Sequence, residues 1–415
     1  MNVTIAPSFV PNPPGRGTLG LLWECLFTYF LCLWTVGHTN VVDPPGQWPE
    51  LTSKFGWCCM IFFLPEWAVY LVVVECLRAR DFRRRANKDI PADQDGERVL
   101  PTGLPRYAEV PQATSSRSPQ KTGHDPFCPV TRKIVGPGPR WGLTHGHLAE
   151  MGGLKFKHDE NEAEFPLPDG IQQLAKCNML PTVSFLSAKI QALQKSDKLA
   201  KILVCLQVSW LIIQAIARRI AKLPVTLLEL NTIAQVWITL VIYGLWWFKP
   251  QGIAEVIEVD FSHCNQCRKQ LRENGTWPLF SSTRQTNTDA WEIWLEGRKF
   301  SVSFLFGIIS IAGTVYIAVD ALGWTAYFPT HSEMIVWRVS ICIFAGSSLL
   351  LLIAALLYYL ALGSDTTRAF LTIFASSVAL LARTVLTIEA FISIRRLPVG
   401  AYSTPSWSDV IPHIG

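Results

Sequence analysis

The sequence predicts an all-α fold: a polytopic transmembrane helix bundle of about seven spans, with interfacial amphipathic helices and a disordered linker. Three observations carry this. Of 415 residues, 49% are apolar and only 17% charged, a balance that fits a large soluble protein or a membrane protein, so the distribution along the chain decides. The apolar residues come in blocks of about twenty, the length that crosses a hydrocarbon core of about 30 Å at about 1.5 Å per residue. These blocks cover 17–36, 56–76, 202–217, 228–248, 300–319, 335–362 and 370–394. Tryptophans gather near their ends: Trp57, Trp246, Trp247, Trp324 and Trp337 stand where an amphipathic ring sits best between lipid and water.

Taken in order, the tail 1–16 has no basic leader followed by an apolar run and a small-residue cleavage site, so the first span reads as an uncleaved anchor. That span carries Glu24, Thr28, Thr35 and His38 on one face. With Arg16 eight residues before it, Glu24 fits either a polar stripe turned into the bundle or a shallow site near the headgroups. The second span completes a hairpin over 17–77 and holds Glu66 halfway along, directly after Pro65. Proline has no amide hydrogen for the carbonyl four residues back and its ring clashes there, so a kink is expected. An acid at that depth is either functional or locked in a buried ion pair, and Arg383 of the last span is its expected partner.

The stretch 78–139 begins with the basic run RARDFRRRANK, suited to anionic lipid headgroups or simply to marking the inner side. It continues rich in Pro, Ser and charge, which predicts a disordered linker. Order is expected to return over 140–201 as an interfacial segment, with a turn at Gly152-Gly153 and two amphipathic helices split by Pro181. His145, His147 and Glu150 match no standard zinc spacing, so no metal is expected.

A second hairpin covers 202–248, its first helix stopped by Lys222-Leu-Pro224 and capped by Arg218, Arg219 and Lys222 at the negative helix end. Gln207 and Gln214 lie seven apart on one helix; Thr232, Gln235, Thr239 and Tyr243 follow 3–4 spacing on the other. A tight hairpin would pair Gln214 with Thr232 and Gln207 with Thr239. The loop 249–299 holds an interfacial helix and a lone C-x-x-C at Cys264 and Cys267, which lacks the second half of a zinc ribbon. Three spans fill 300–394. Ser303, Gly307, Ser310 and Thr314 make a small-residue face; Arg338 is expected to snorkel outward and pair with Glu333; Arg383 falls near the middle of the last span. A polar tail, 395–415, ends the chain.

The net charge of +5 does not signal nucleic acid, because the cations gather beside spans rather than on one soluble face. Arg16, Arg78, Arg80, Arg83, Arg84, Arg85, Lys88, Lys195, Lys198, Lys249, Arg298, Lys299 and Arg368 would share one side. Lys54, Arg218, Arg219, Lys222, Arg395 and Arg396 would share the other. The first side is then cytoplasmic, with the amino end inside and the carboxyl end outside. The glycosylation acceptors Asn2-Val-Thr4 and Asn274-Gly-Thr276 argue for the inverse.

The set formed by Arg16-Gly-Thr18, Cys32-Leu-Trp-Thr35, Leu64-Pro-Glu-Trp67, Thr144-His-Gly146, Met151-Gly-Gly153, Ser196-Asp-Lys198, Trp246-Trp-Phe-Lys-Pro250, Trp337-Arg338, Arg383, Glu389 and Pro412-His413 resembles an uncharacterised family of multi-pass integral membrane proteins of filamentous fungi. The resemblance implies a multi-pass membrane protein and supplies no activity, ligand or cofactor. Glu24 and His147 depart from it, standing where that family shows a small polar residue and an aromatic.

Three function classes stay open: a transport-like protein with a polar intrahelical cavity, a seven-span sensor or receptor, and a scaffold that binds partners through its linker. No nucleophile–base pair, phosphate loop or HExxH motif argues for an enzyme, and no cofactor is expected.

Overall fold

The structure, a computed structural model, describes residues 4–11, 16–41, 47–88, 140–157, 163–176, 180–181, 183–193, 198–253, 256–260, 280–281, 293–295, 298–300, 302–360, 362 and 364–404. Its helices are α1 (Thr18–Val36), α2 (Gln47–Phe63), α3 (Pro65–Asn87), α4 (Leu143–Glu150), α5 (Pro168–Lys176), α6 (Val183–Leu193), α7 (Lys198–Ile220), α8 (Leu227–Leu245), α9 (Val302–Ala321), α10 (His331–Tyr359) and α11 (Asp365–Ile392). Its strands are β1 (Leu154–Lys157), β2 (Ala163–Pro166), β3 (Ile257–Asp260), β4 (Phe280–Ser281), β5 (Ile293–Leu295) and β6 (Arg298–Phe300). The chain forms two compact units, one of Met1–Arg78, Leu193–Glu255 and Gln285–Gly415, the other of Ala79–Ala192 and Val256–Arg284.

The first unit is a helical bundle. Five of its helical stretches are long and apolar enough to cross a membrane, over Thr18–Val36, Ile202–Ile220, Leu227–Leu245, His331–Leu357 and Thr366–Arg395. Each turns one stripe inward. In α1 the buried positions Leu21, Cys25, Thr28, Tyr29, Cys32 and Val36 recur at helical spacing, while Trp23, Leu26 and Phe30 are exposed. Likewise Leu206, Ile213, Ile373 and Leu381 face outward, whereas Asn231, Thr232, Gln235 and Thr239 are buried. A surface this apolar around an interior this polar is the reverse of a soluble protein and fits lipid outside.

The hairpin's stop occurs where expected. Lys222 adopts φ 55°, Leu223 N–H returns to the Arg218 carbonyl (2.8 Å) and Lys222 N–H to that of Arg219 (3.2 Å). This is a Schellman closure, with lysine in the left-handed place usually given to glycine. Helix α8 starts on a capping box: the Thr226 hydroxyl accepts from the Glu229 amide and Glu229 accepts from the Thr226 amide.

Three expectations are corrected here. The span 56–76 is not one kinked crossing. It is two helices, α2 and α3, broken at Leu64, and they fold back: the Trp57 ring packs on Trp246 (4.9 Å between centroids), and Glu75 accepts from the indole N–H of the same Trp246 at 3.1 Å. In a straight helix residues eighteen apart would stand about 27 Å apart. Nor do the two ends of the chain lie at opposite ends of the bundle. Ala6 N–H bonds the Leu397 carbonyl and Val399 N–H the Thr4 carbonyl, each at 3.0 Å, and the Thr18 hydroxyl lies 3.2 Å from that of Tyr402. The β5–β6 hairpin falls where an interfacial helix was expected.

The second unit departs from a purely helical fold. Its four-stranded sheet has the order β3-β1-β2-β4, with β1 parallel to β3 and the other pairs antiparallel. Helices α4, α5 and α6 accompany it, with Leu148, Phe156, Ile171, Leu174, Leu186 and Val259 buried. Gly146 has to be glycine: a Cβ there would lie 2.1 Å from the Ala79 carbonyl oxygen, so α4 rests directly on the α3 backbone. Asn87 exchanges two 2.9 Å bonds with the Trp141 backbone. The linker expected over 78–139 does not begin at Arg78, because α3 continues to Asn87; its remainder, 89–139, lies outside the described residues, as do the C-x-x-C, Asn2 and Asn274.

Candidate functional site

The break at Pro65 explains the site. Proline leaves the Ile61 carbonyl without its helical donor, and Gln235 of α8 fills the place, its amide nitrogen donating to that oxygen at 2.8 Å. The Gln235 carbonyl in turn accepts from Arg383 Nη2 at 2.6 Å, and Arg383 Nη1 donates to Glu66 Oε1 at 3.1 Å. The Arg383 guanidinium also lies over the Tyr316 ring, 3.9 Å from its centroid. Glu66 and Arg383 are both buried, so this is a desolvated pair held by further bonds, the only condition under which such a pair is tolerable. Gly313 of α9 makes room for it, since a Cβ there would come within 3.1 Å of Ser348 Oγ and 3.6 Å of Glu66 Cγ.

Beside the pair is a cavity of about 20 Å³ bordered by Glu66, Trp67, Ser348, Ser376 and Arg383. That is room for one water and too little for a metabolite.

A polar string continues from the pair. The Asn231 amide nitrogen donates to the Tyr316 hydroxyl (3.2 Å), and the Tyr29 hydroxyl donates to Asn231 Oδ1 (2.6 Å). Two further buried ion clusters flank the site along the bundle. Toward one end, Lys249 Nζ meets Glu75 at 2.7 Å with both side chains wholly enclosed, and Asn40 adds a long bond to Glu75. At the other, Arg16 joins Glu229 (2.5 Å) and Glu24 (2.8 Å). Burial works against the Arg16 charge, but Glu229 and then Glu24 outweigh it and hold the guanidinium above its usual range. Nearby, Arg218 donates to the carbonyls of Pro224, Ala401 and Ser403, tying the turn after α7 to the carboxyl-terminal segment.

Of the residues singled out from sequence, Glu66 and Arg383 meet, and Gln235 joins them. The expected pairing across the second hairpin does not form. Gln207 donates instead to Thr28 of α1 at 3.1 Å, Thr232 and Thr239 bond back to Leu228 and Gln235 within α8, and Gln214 does not reach Thr232. The reason is packing: α1 lies against both α7 and α8, with Cys32, Val204, Val208, Leu211 and Val236 in one cluster. Glu24 takes neither expected role alone, being tied to Arg16. Arg338 bonds the Trp324 carbonyl, and Glu333 pairs with Arg395 instead.

In the second unit, His145 Nδ1 accepts from the Gly142 amide and Nε2 lies 3.1 Å from the Ser187 hydroxyl. Among the described residues no group of His, Cys, Asp and Glu is arranged to hold a metal. Sequence reasoning missed Glu75, Lys249, Glu229, Asn231, Tyr316 and Asp320. The capping-box spacing Thr226-x-x-Glu229 and the placing of Glu75 and Lys249 at ends of apolar runs were the available signals.

No curated protein and no solved structure matches the chain. A family profile matches residues 3–266 and 363–414, more than half of its length, and these include Glu66, Gln235 and Arg383 but not Tyr316 or Asp320. The chain therefore belongs to the family of unknown function DUF8562.

Proposed function

We propose that this is a multi-pass, transport-like membrane protein in a closed conformation, in which the broken pair α2–α3 is a re-entrant gate latched at its tip by Arg383. The observation that carries the reading is the Glu66–Arg383–Gln235 junction at the break. Helices interrupted near mid-membrane are costly unless they border protein or a water-filled path, and they recur where substrates or ions bind. A scaffold has no need of one.

The pairing of the two chain ends supports an even number of crossings, six, made by α1, α7, α8, α9, α10 and α11, with α2–α3 entering and returning. Seven crossings, as a receptor of that class requires, would separate those ends. Lys54, Arg78, Lys198, Lys249 and Arg368 then share an end, which favours that end as cytoplasmic and suits anionic headgroups. At the opposite end Arg16 is bonded to acids, Arg218 to carbonyls and Arg395 to Glu333, while Arg219, Lys222 and Arg396 stay exposed. The paired segments 4–6 and 397–399 would face away from the cytoplasm.

The test is access. Ser376→Cys, at the edge of the cavity, is treated in sealed vesicles with a membrane-impermeant maleimide from each side in turn. Transport-like opening modifies Cys at that site from at least one side; a bundle that only anchors partners leaves it unmodified from both.

A further inference from the structure

We propose that Asp320 is a proton-binding site whose loading decides whether Arg383 stays with Glu66. This names the proton as the coupling ion of the transport-like reading and rests on that reading for its role, while the binding itself stands on geometry.

Asp320, at the end of α9, is wholly buried, and among the described residues neither of its oxygens meets a donor at hydrogen-bonding geometry. Each neighbouring element can be taken in turn. On its own helix Tyr316 stands one turn back, its hydroxyl oxygen accepting from Asn231. From α8 comes Asn231 itself, whose Oδ1 accepts from Tyr29 of α1 and whose amide nitrogen, already shared with Tyr316, is the one donor turned toward the carboxylate. From α11 comes Arg383, within electrostatic reach of Asp320, with Glu66 of α3 on it. The charged residues of the first turns of α10, Glu333 and Arg338, are engaged with Arg395 and the Trp324 carbonyl.

The centre of the bundle thus has two acids, Glu66 and Asp320, and one guanidinium. Arg383 is bonded to Glu66, so Asp320 is the acid left over. An ionised carboxylate with one neutral amide beside it and no counter-charge bonded to it is far costlier in an apolar interior than the neutral acid. Hydronium gives a proton to one carboxylate oxygen: its O–H bond breaks as the new one forms and water is left, and the same proton returns to water when the site opens. Once Asp320 is ionised it competes with Glu66 for Arg383, and the latch loosens.

Infrared difference spectroscopy on the full chain in lipid vesicles, titrated from acid to alkaline pH, tests this. Expected is a protonated-carboxyl band in the native protein, lost in Asp320→Asn, displaced in Asp320→Glu and retained in Glu389→Gln. A band that survives Asp320→Asn overturns the proposal, as does a native protein without one. Stabilisation of the native protein by sodium in place of that band overturns it in favour of a metal cation. If Asp320→Asn does not fold, the native titration with the displacement in Asp320→Glu decides. The two readings fail separately: absent labelling at Ser376→Cys with the band present removes transport and keeps the proton site, whereas labelling without the band does the opposite.

Discussion

At the scale of the residue, the bundle is specified by charges in places where an isolated charge is prohibitive. Lys249 and Glu75 show the rule most plainly, because both side chains are fully enclosed and the Trp246 indole adds both a hydrogen bond and a ring face 4.3 Å from the ammonium. Lys249→Met strands the Glu75 carboxylate, and a loss of about 3–5 kcal/mol is expected, most of it recovered in the Glu75→Leu/Lys249→Met double variant. Denaturation in detergent micelles measures both. In the second unit, burial of His145 lowers the pKa of its imidazole, and Nδ1 already accepts an amide proton. The unfolded chain gains its proton near pH 6.5 while the folded one does not, so the unfolded state binds more protons and stability falls as pH drops through about 6.5. Hydrogen-exchange protection of 142–150, corrected for the intrinsic rate, should decline from pH 7.5 to 5.5, and His145→Gln should flatten that decline.

At the scale of the element, helix lengths and their stops were legible while the angles between them were not. Pro65 announced a kink, because the lost amide bond is a local fact, but not a full break with reversal. The turn back depends on Trp246, which receives Trp57 and Glu75 from positions far away in sequence. Spin labels at Phe55→Cys and Leu77→Cys would stand about 33 Å apart along a straight helix; a clearly shorter distance is expected, and about 33 Å would restore a single crossing span. The hairpin of α7 and α8 teaches the same lesson from its failure. Its stop at Lys222 and its polar stripes were readable, yet Gln207 found Thr28, since periodicity assigns a face to a helix without saying which helix meets it. The sheet of the second unit was missed for a related reason: β1 and β3 are four-residue strands a hundred residues apart, too short for alternation to stand out.

At the scale of the whole molecule, the closest test is where the chain ends lie. Tags at the amino and carboxyl ends should share one protease-accessible compartment, the non-cytoplasmic one, and tags in opposite compartments would contradict the pairing of Thr4–Ala6 with Leu397–Val399. The sequence by itself determined that apolar blocks of membrane length exist, that most polar stripes turn inward, and that Glu66 needs Arg383, because each follows from the cost of placing polar groups in hydrocarbon. Only the tertiary structure decided that α2 and α3 return on themselves, that α1 separates the hairpin's glutamine from its expected threonine, and that Asp320 remains without a counter-charge of its own. Those outcomes depend on which surfaces fit together across long sequence separations, and no local pattern encodes that.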